Sequence, residues 1–345
     1  MAWLGIETSC DESAASVIEA SGRSLRILSS LVGSQVARHR PYGGVVPEVA
    51  VREHLRNLPV LVPSALEEAG IAPEALEGIA VTQGPGLATS LLVGHAYARG
   101  LGLRLGLPVR GINHLEGHLL SPFFDDAGGA AFPFVGLVVS GGHTLLVEAR
   151  GWGDYVRLGG TVDDAAGEVF DKVARLLGLG YPGGPEIEGI AREGDALAHD
   201  FPQSFPERDN FNFSFSGLKT SVRYFLEKHP EKLADRAFVA DVAASFQRAV
   251  VEVLIRKAVR AARARGVKAV AMAGGVACNG ALRAALGAAV EKAGLRLAVA
   301  PASLCTDNAA MIAGIAALKQ AAGAVPDGVP DDVDPNLSLF ASRAV

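Results

Sequence analysis

The stretch LGIETSCDESAASVIEA, residues 4–20, sets short β-rich apolar runs on either side of a polar turn, and predicts a strand, a tight turn and a second strand. FVGLVVSGGHTLLVEAR, residues 134–150, repeats that plan about 130 residues later, which predicts an internal duplication. Each turn is built of Thr, Ser, Asp or Gly, whose backbone N–H groups and hydroxyls can converge on one point, so a facing pair could close on a polyphosphate. Elsewhere the period becomes helical. Residues 48–70 carry helical periodicity interrupted by prolines, and residues 79–86 read as a strand ending in a glycine-proline loop with a helix after it. Residues 163–179 predict an amphipathic helix, 237–266 the longest helical region, and 268–294 a strand, a glycine turn and a helix. Alternating strands and helices predict an α/β protein. FNFSFSGLKT, residues 211–220, alternates aromatic and polar positions and predicts a strand half buried on Phe211, Phe213 and Phe215. Beyond Lys319 the periodicity fades, and the acidic, proline-bearing residues 327–336 read as a surface tail.

Composition narrows the class. The 345 residues are 49% hydrophobic and 20% charged, an ordinary globular balance with room for two domains. MAWLGIETS gives way at once to Cys10, Asp11 and Glu12 rather than to a secretory leader, and the Ala-rich run 269–290 is broken by Gly274, Gly275, Asn279 and Arg283. The expectation is a cytoplasmic chain with no membrane partner. Cys10, Cys278 and Cys305 are odd in number and widely spaced, which suits reduced thiols. A net charge of −5 makes any polyanion contact local. The local candidate is 256–268, with six basic residues and no acid, where Arg256, Arg260 and Arg263 share a helical stripe. A solvated outer face is the plainer reading of that stripe.

NHLEGH, residues 113–118, places His114 and His118 one helical turn apart, so both imidazoles can share one cation. A zincin-type protease needs its glutamate directly after the first histidine, where Leu115 stands; Glu116 lies roughly 200° round the helix from His114. Glycine doublets recur after strands at 140–143, 182–185 and 273–276, where a ligand can approach the backbone closely. Acids lie beside these loops: Asp11 and Glu12 in the first hairpin, Asp171 four residues after Gly167, and Asp307 in CTDN. Asp307 could complete a two-histidine, one-carboxylate shell with open positions, suited to iron or zinc. It could equally cap the helix that follows.

GIETSCDES, NHLEGH, VVSGGHT, GEVFDKVARLLGLGYPGGP, FNFSFSGLKT, MAGGVACNGALR and CTDNAAMIA, in this order over residues 5–313, resemble the TsaD family of tRNA threonylcarbamoyladenosine transferases. The resemblance implies a two-lobed actin/Hsp70/sugar-kinase fold with duplicated RNase H-like cores. The first lobe would be residues 1–118 plus about 305–345, and the second 119–304, with metal and adenylate in the cleft. It implies transfer of the threonylcarbamoyl group of threonylcarbamoyl-AMP to N6 of the adenosine 3′ of the anticodon, in tRNAs reading codons that begin with A. It further implies that His114, His118 and Asp307 hold one iron or zinc. Val138, Val139, Ser140, Gly141 and Gly142 would line the carbamoyl and phosphate end, while Asp171, Gly184, Glu188 and Asn279 would grip ribose and adenine. Glu188 stands where many relatives carry Asp, and Ser13 where threonine is common. The expected partners are tRNA, a TsaB-like subunit of the same fold and a small TsaE-like ATPase. Acidity and hairpin position make Asp11 or Glu12 the candidate for taking the N6 proton. A metal-dependent endopeptidase, a small-molecule kinase and a non-catalytic nucleotide-binding scaffold are the alternatives.

Overall fold

A computed structural model describes residues 1–22, 24–124, 132–207, 209–324 and 332–340. The chain divides into two compact units, Met1–Ala131 with Trp152–Asp154 and Thr306–Val345, and Phe132–Gly151 with Tyr155–Cys305. The first unit thus runs past residue 118, because every residue of the helix His114–Leu120 is buried within it.

In the first unit β1 (Ala2–Glu7), β2 (Glu12–Ser21), β3 (Ser24–Ser34), β4 (Gly78–Gly84) and β5 (Val109–Asn113) form a sheet of order β3-β2-β1-β4-β5. β1 pairs antiparallel with β2, Ile6 opposite Ala15, and parallel with β4, Ile6 opposite Val81; β5 extends the parallel side. In the second, β6 (Phe134–Val139), β7 (Thr144–Gly151), β8 (Asp154–Gly160), β9 (Ala269–Ala273) and β10 (Arg296–Val299) take the order β10-β9-β6-β7-β8. β6 pairs antiparallel with β7 and parallel with β9. Numbered within its own unit, each sheet therefore has the order third, second, first, fourth, fifth. The duplication expected from residues 4–20 and 134–150 is present. Ligands in such sheets gather at the carboxyl ends of the parallel strands.

Residues 47–69 form one unbroken helix despite Pro59 and Pro63. The two prolines lie four apart on its exposed side, where water can serve the carbonyls that lose their amide partners. The opposite side buries Ala50, His54, Leu58, Val62, Ala65 and Leu66. The helix Ala309–Ala321, buried from Ala309 to Leu318, packs on β1 and β2. Its approach to β1 depends on Gly5: a Cβ there would sit 2.2 Å from the Ala309 carbonyl oxygen and 2.9 Å from the Ala313 Cβ. Backbone cannot rotate out of that overlap, so Gly5→Ala is expected to cost about 2–3 kcal/mol. Chemical denaturation measures it, and an unchanged midpoint would show that the helix shifts freely.

Residues 211–215 depart from the strand expected of them: Phe213 makes a single bridge to Thr161 and a helix, Ser216–Glu227, begins at once. Phe213 and Phe215 are buried as the alternation requires, but Asp163 takes over the polar positions. Its carboxylate accepts from the Ser214 and Ser216 hydroxyls and from the Phe215 and Ser216 amides, so pairing stops at Phe213, which donates to the Gly160 carbonyl and accepts from the Val162 amide. Of the expected tail, residues 327–331 lie outside the described residues. Asp334 donates its amide to the Gln83 carbonyl at 3.0 Å, and Gly86 donates to the Pro335 carbonyl at 3.1 Å, so the later part is tied to the end of β4. Among the described residues no helix is long and apolar enough to cross a membrane.

Candidate metal centre and nucleotide loops

Three strand ends of the first unit converge. β1 ends in Glu7, β4 carries Thr82, and β5 runs directly into the helix His114–Leu120. Asn113 caps that helix, its side-chain oxygen accepting from the Leu115 amide at 2.9 Å and the Glu116 amide at 3.3 Å. The cap fixes the first turn and with it the direction of His114. The two rings stand edge to face with centroids 4.7 Å apart.

Asp307 reaches the pair across 189 positions of sequence: its Oδ1 lies 3.1 Å from His118 Nε2 and 3.5 Å from His114 Nε2. One ligand atom from each of the three residues lies within 4.8 Å of the others. Tetrahedral bonds of about 2.1 Å place ligand atoms about 3.4 Å apart, so both separations from Asp307 suit one cation. The capping role open to Asp307 in the sequence belongs instead to Asn308, which accepts from the Met311 amide at 2.9 Å.

Glu7 completes the centre and was missed in the sequence. Its Oε2 lies 3.1 Å from His114 Nδ1 and accepts from the Thr82 hydroxyl at 2.6 Å, while Oε1 accepts from the Ser9 amide. A carboxylate only accepts, so Nδ1 carries a proton, and Nε2, aimed at Asp307, is the nitrogen left for a cation once the imidazolium gives up its second proton. The residue is fully buried at the end of an apolar strand, and that placement is the only trace it leaves in the sequence. Burial by itself lowers the His114 pKa, but the charges of Asp307 and Glu7 outweigh it and raise the imidazole to about 9. Without a cation the imidazole is therefore charged near neutrality. Burial likewise raises Glu7, and His114 more than offsets it, holding the carboxyl below its ordinary value.

Glu116 turns away from the histidines and pairs with Lys319, 2.6 Å from Oε2 to Nζ. The endopeptidase alternative thus finds no base in this glutamate. Glu12, at the start of β2, is pushed up to about 10 by burial first and then by the charges of Asp307 and Asp11. In the absence of a cation it therefore favours its protonated form at neutral pH. The hairpin that carries both is anchored from below: the buried Ser13 hydroxyl meets His54 Nδ1 at 2.8 Å, and His54 Nε2 meets the Cys10 carbonyl at 3.0 Å.

In the second unit the loops expected to hold nucleotide gather at the ends of β6 and β9. Val138 and Val139 are buried strand residues, 1% and 0% exposed, so their side chains belong to the core and line nothing. The backbone of Val139 lies against Gly274, whose φ of 96° and close approach exclude a side chain. Ser140 closes the turn by accepting the His143 amide at 3.1 Å, and Gly141 and Gly142 are exposed beyond it. Asp171 accepts the Gly183 amide at 2.6 Å and so holds the start of the helix Gly183–Ala191, where Gly184 faces open space. Glu188 accepts the Gly280 amide at 3.2 Å and the Arg192 guanidinium at 2.9 Å. Asn279 caps the helix Gly280–Lys292 and donates to Gln247 at 2.7 Å. A turn, Gly275–Cys278, separates the 273–276 doublet from that helix, so the doublet does not itself open it.

The basic stripe is partly committed within this unit. Arg256 donates to Gln203 and Arg260 to the Pro206 carbonyl, while Arg263 is exposed; Arg265, off the stripe, donates to Glu148. Lys257, 1% exposed, points inward to the Phe205 and Asn210 carbonyls.

Comparison with known proteins places this geometry. A family model described as "TsaD: tRNA N6-adenosine threonylcarbamoyltransferase" matches residues 26–314. A protein of that name from Geobacter metallireducens is 52% identical over 310 residues, covering 90% of this chain and 89% of the relative. Its counterpart from Magnetococcus marinus is 48% identical over 336 residues, covering 96% and 95%. The crystal structure of T. kodakarensis HypF superposes with a TM-score of 0.60 at 18% identity, over 93% of this chain and 47% of that one, a likeness of fold alone.

Proposed function

The chain belongs to the TsaD family of tRNA N6-adenosine threonylcarbamoyltransferases, and on that premise we propose that it moves the threonylcarbamoyl group of threonylcarbamoyl-AMP to N6 of the adenosine 3′ of the anticodon in tRNAs reading codons that begin with A. His114, His118 and Asp307 hold one iron or zinc ion. The observation that supports the ion is the meeting of two imidazole nitrogens and a carboxylate from distant parts of the sequence, backed by a buried glutamate that orients one ring. When bound, the ion supplies Lewis acidity toward the oxygens of the mixed anhydride.

The remaining work falls to side chains and backbone. Glu7 keeps the His114 proton on Nδ1 and away from the cation's side. The Gly141 and Gly142 amides, at an open turn, are the donors for charge developing on the carbamoyl oxygen. Asp171, Gly184, Glu188 and Asn279 form the adenylate grip, with Asp171 and Asn279 fixing the two helix starts from which it is built. Asp11 or Glu12, the two acids of the first hairpin, takes the N6 proton. Because Arg256 and Arg260 are engaged internally, tRNA affinity comes from an assembly with a TsaB-like subunit and a TsaE-like ATPase, in the cytoplasm.

Synthetic threonylcarbamoyl-AMP and unmodified tRNA, incubated with the assembled components, give modified tRNA. Removing metal with a chelator is expected to abolish product, and zinc or iron(II) to restore it. Undiminished turnover by protein shown to be metal-free would remove the ion from the reaction.

A further inference from the structure

Cys278 ends the turn Gly275–Cys278 after β9, and Cys305 ends the short helix Ala302–Cys305. The helix packs on the turn, so the two thiols are neighbours: the exposed Cys278 donates to the Ala302 carbonyl at 3.9 Å and the buried Cys305 to the Ala300 carbonyl at 3.3 Å. Arg283, in the first turn of the helix Gly280–Lys292, lies over the pair: its guanidinium donates to Cys305 Sγ at 3.1 Å, to the Ala300 carbonyl at 2.8 Å and to the Ala277 carbonyl. Two backbone carbonyls thus fix a positive charge on the Cys305 sulfur and beside the turn that carries Cys278. The reaction proposed above uses none of these three side chains.

We propose that Cys278 and Cys305 are a peroxide-oxidised dithiol, with Cys278 the attacking sulfur, Cys305 the resolving one and Arg283 the group that holds the thiolate. The Cys278 thiolate attacks one oxygen of hydrogen peroxide, forming the S–O bond of a sulfenic acid as the O–O bond breaks and hydroxide leaves. Cys305 sulfur then attacks the sulfenic sulfur; an S–S bond forms, the S–O bond breaks, and the departing hydroxide takes the Cys305 proton as water. Peroxide is reduced by two electrons and the dithiol is oxidised by two.

The environment of Cys278 agrees. The neighbouring Cys305 thiol lowers its pKa most; burial opposes this, the Arg283 charge adds to it, and the thiol falls to about 6. At about pH 7 that gives roughly 30 times the thiolate of an ordinary cysteine. A less basic thiolate is also a weaker nucleophile, by roughly tenfold here, so the net gain in rate is only about two- to threefold. The pH profile therefore discriminates better than the rate at one pH. Cys10 is the internal control: burial, then the Asp11 charge, pushes its thiol well above the ordinary value.

The test treats the reduced full-length protein with hydrogen peroxide, quenches it in denaturant with N-ethylmaleimide and maps the peptides. The expected product is a Cys278–Cys305 linked peptide lighter by two hydrogens, reversed by dithiothreitol. Its rate should fall about tenfold between about pH 7 and pH 5, following the thiolate fraction. Cys305→Ser should leave a Cys278 sulfenic acid trapped by dimedone, and Cys278→Ser should leave Cys305 reduced. Arg283→Met should move the pH profile to higher pH. Oxidation confined to Cys10, disulfides only between molecules, or oxidised Cys278 beside a Cys305 still free for alkylation would each overturn the proposal.

Discussion

Asp307→Asn is expected to empty the metal centre and reduce turnover to the level of chelated protein. The substitution keeps size and shape and removes the anionic ligand that faces both His114 Nε2 and His118 Nε2. Loss of a partner that only orients a ligand costs about 10–100-fold in metal affinity, so loss of this ligand should exceed about 100-fold. Helix capping is untouched, since Asn308 performs it, and the variant should fold. Elemental analysis after dialysis and a transfer assay check both parts. Retention of one metal per chain with normal turnover would show that Asp307 is not a ligand.

The second large effect is expected at Glu7, which touches no ligand-binding position of the cation. Glu7→Gln should weaken zinc binding by about 10–100-fold. The carboxylate serves three donors at once: His114 Nδ1, the Thr82 hydroxyl and the Ser9 amide. An amide brings two donors of its own into the same buried space, so about 1–3 kcal/mol of stability should also be lost. The pH dependence separates orientation from mere packing. In the wild type a cation must displace a proton from an imidazole titrating at about 9, so apparent affinity should rise about tenfold per pH unit from roughly pH 6 toward that value. Glu7 is one of the two charges that raise this pKa, so in the variant the rise should level off at lower pH. Isothermal titration at several pH values measures it. Equal affinity and an identical profile would reduce Glu7 to a packing residue.

The same proton makes a statement about stability. The folded-state pKa of His114 lies above the ordinary value of 6.5, so the metal-free protein keeps the full contribution below about 6.5 and loses it as pH rises through about 9.

How far the sequence shows these features depends on distance along the chain. His114 and His118 were legible because one helical turn makes them neighbours whatever the tertiary structure. The duplicated sheets were legible because a strand, polar turn and strand leave a local pattern twice. Asp307 was legible only as a possible third ligand: nothing local separates a ligand from a cap, and only the resemblance favoured the first. Glu7 was invisible for the opposite reason, a single acid in an apolar strand whose role depends on β4 and β5 folding beside it. Val138 and Val139 were assigned with their loop although strand alternation and two packed faces bury both. Pro59 and Pro63 suggested a break because their tolerance depends on which side meets water. The alternation of 211–215 correctly placed Phe213 and Phe215 inside, but pairing ends at Phe213 because Asp163, 52 positions before Phe215, takes the next amide.

Crystals soaked in zinc or iron(II), with anomalous data at the matching absorption edge, test the central claim most directly. The account predicts one peak per chain, bonded at about 2.1 Å to His114 Nε2, His118 Nε2 and a carboxylate oxygen of Asp307, with Glu7 behind His114. No peak at these residues, or one held elsewhere while the three side chains keep only one another, would contradict it.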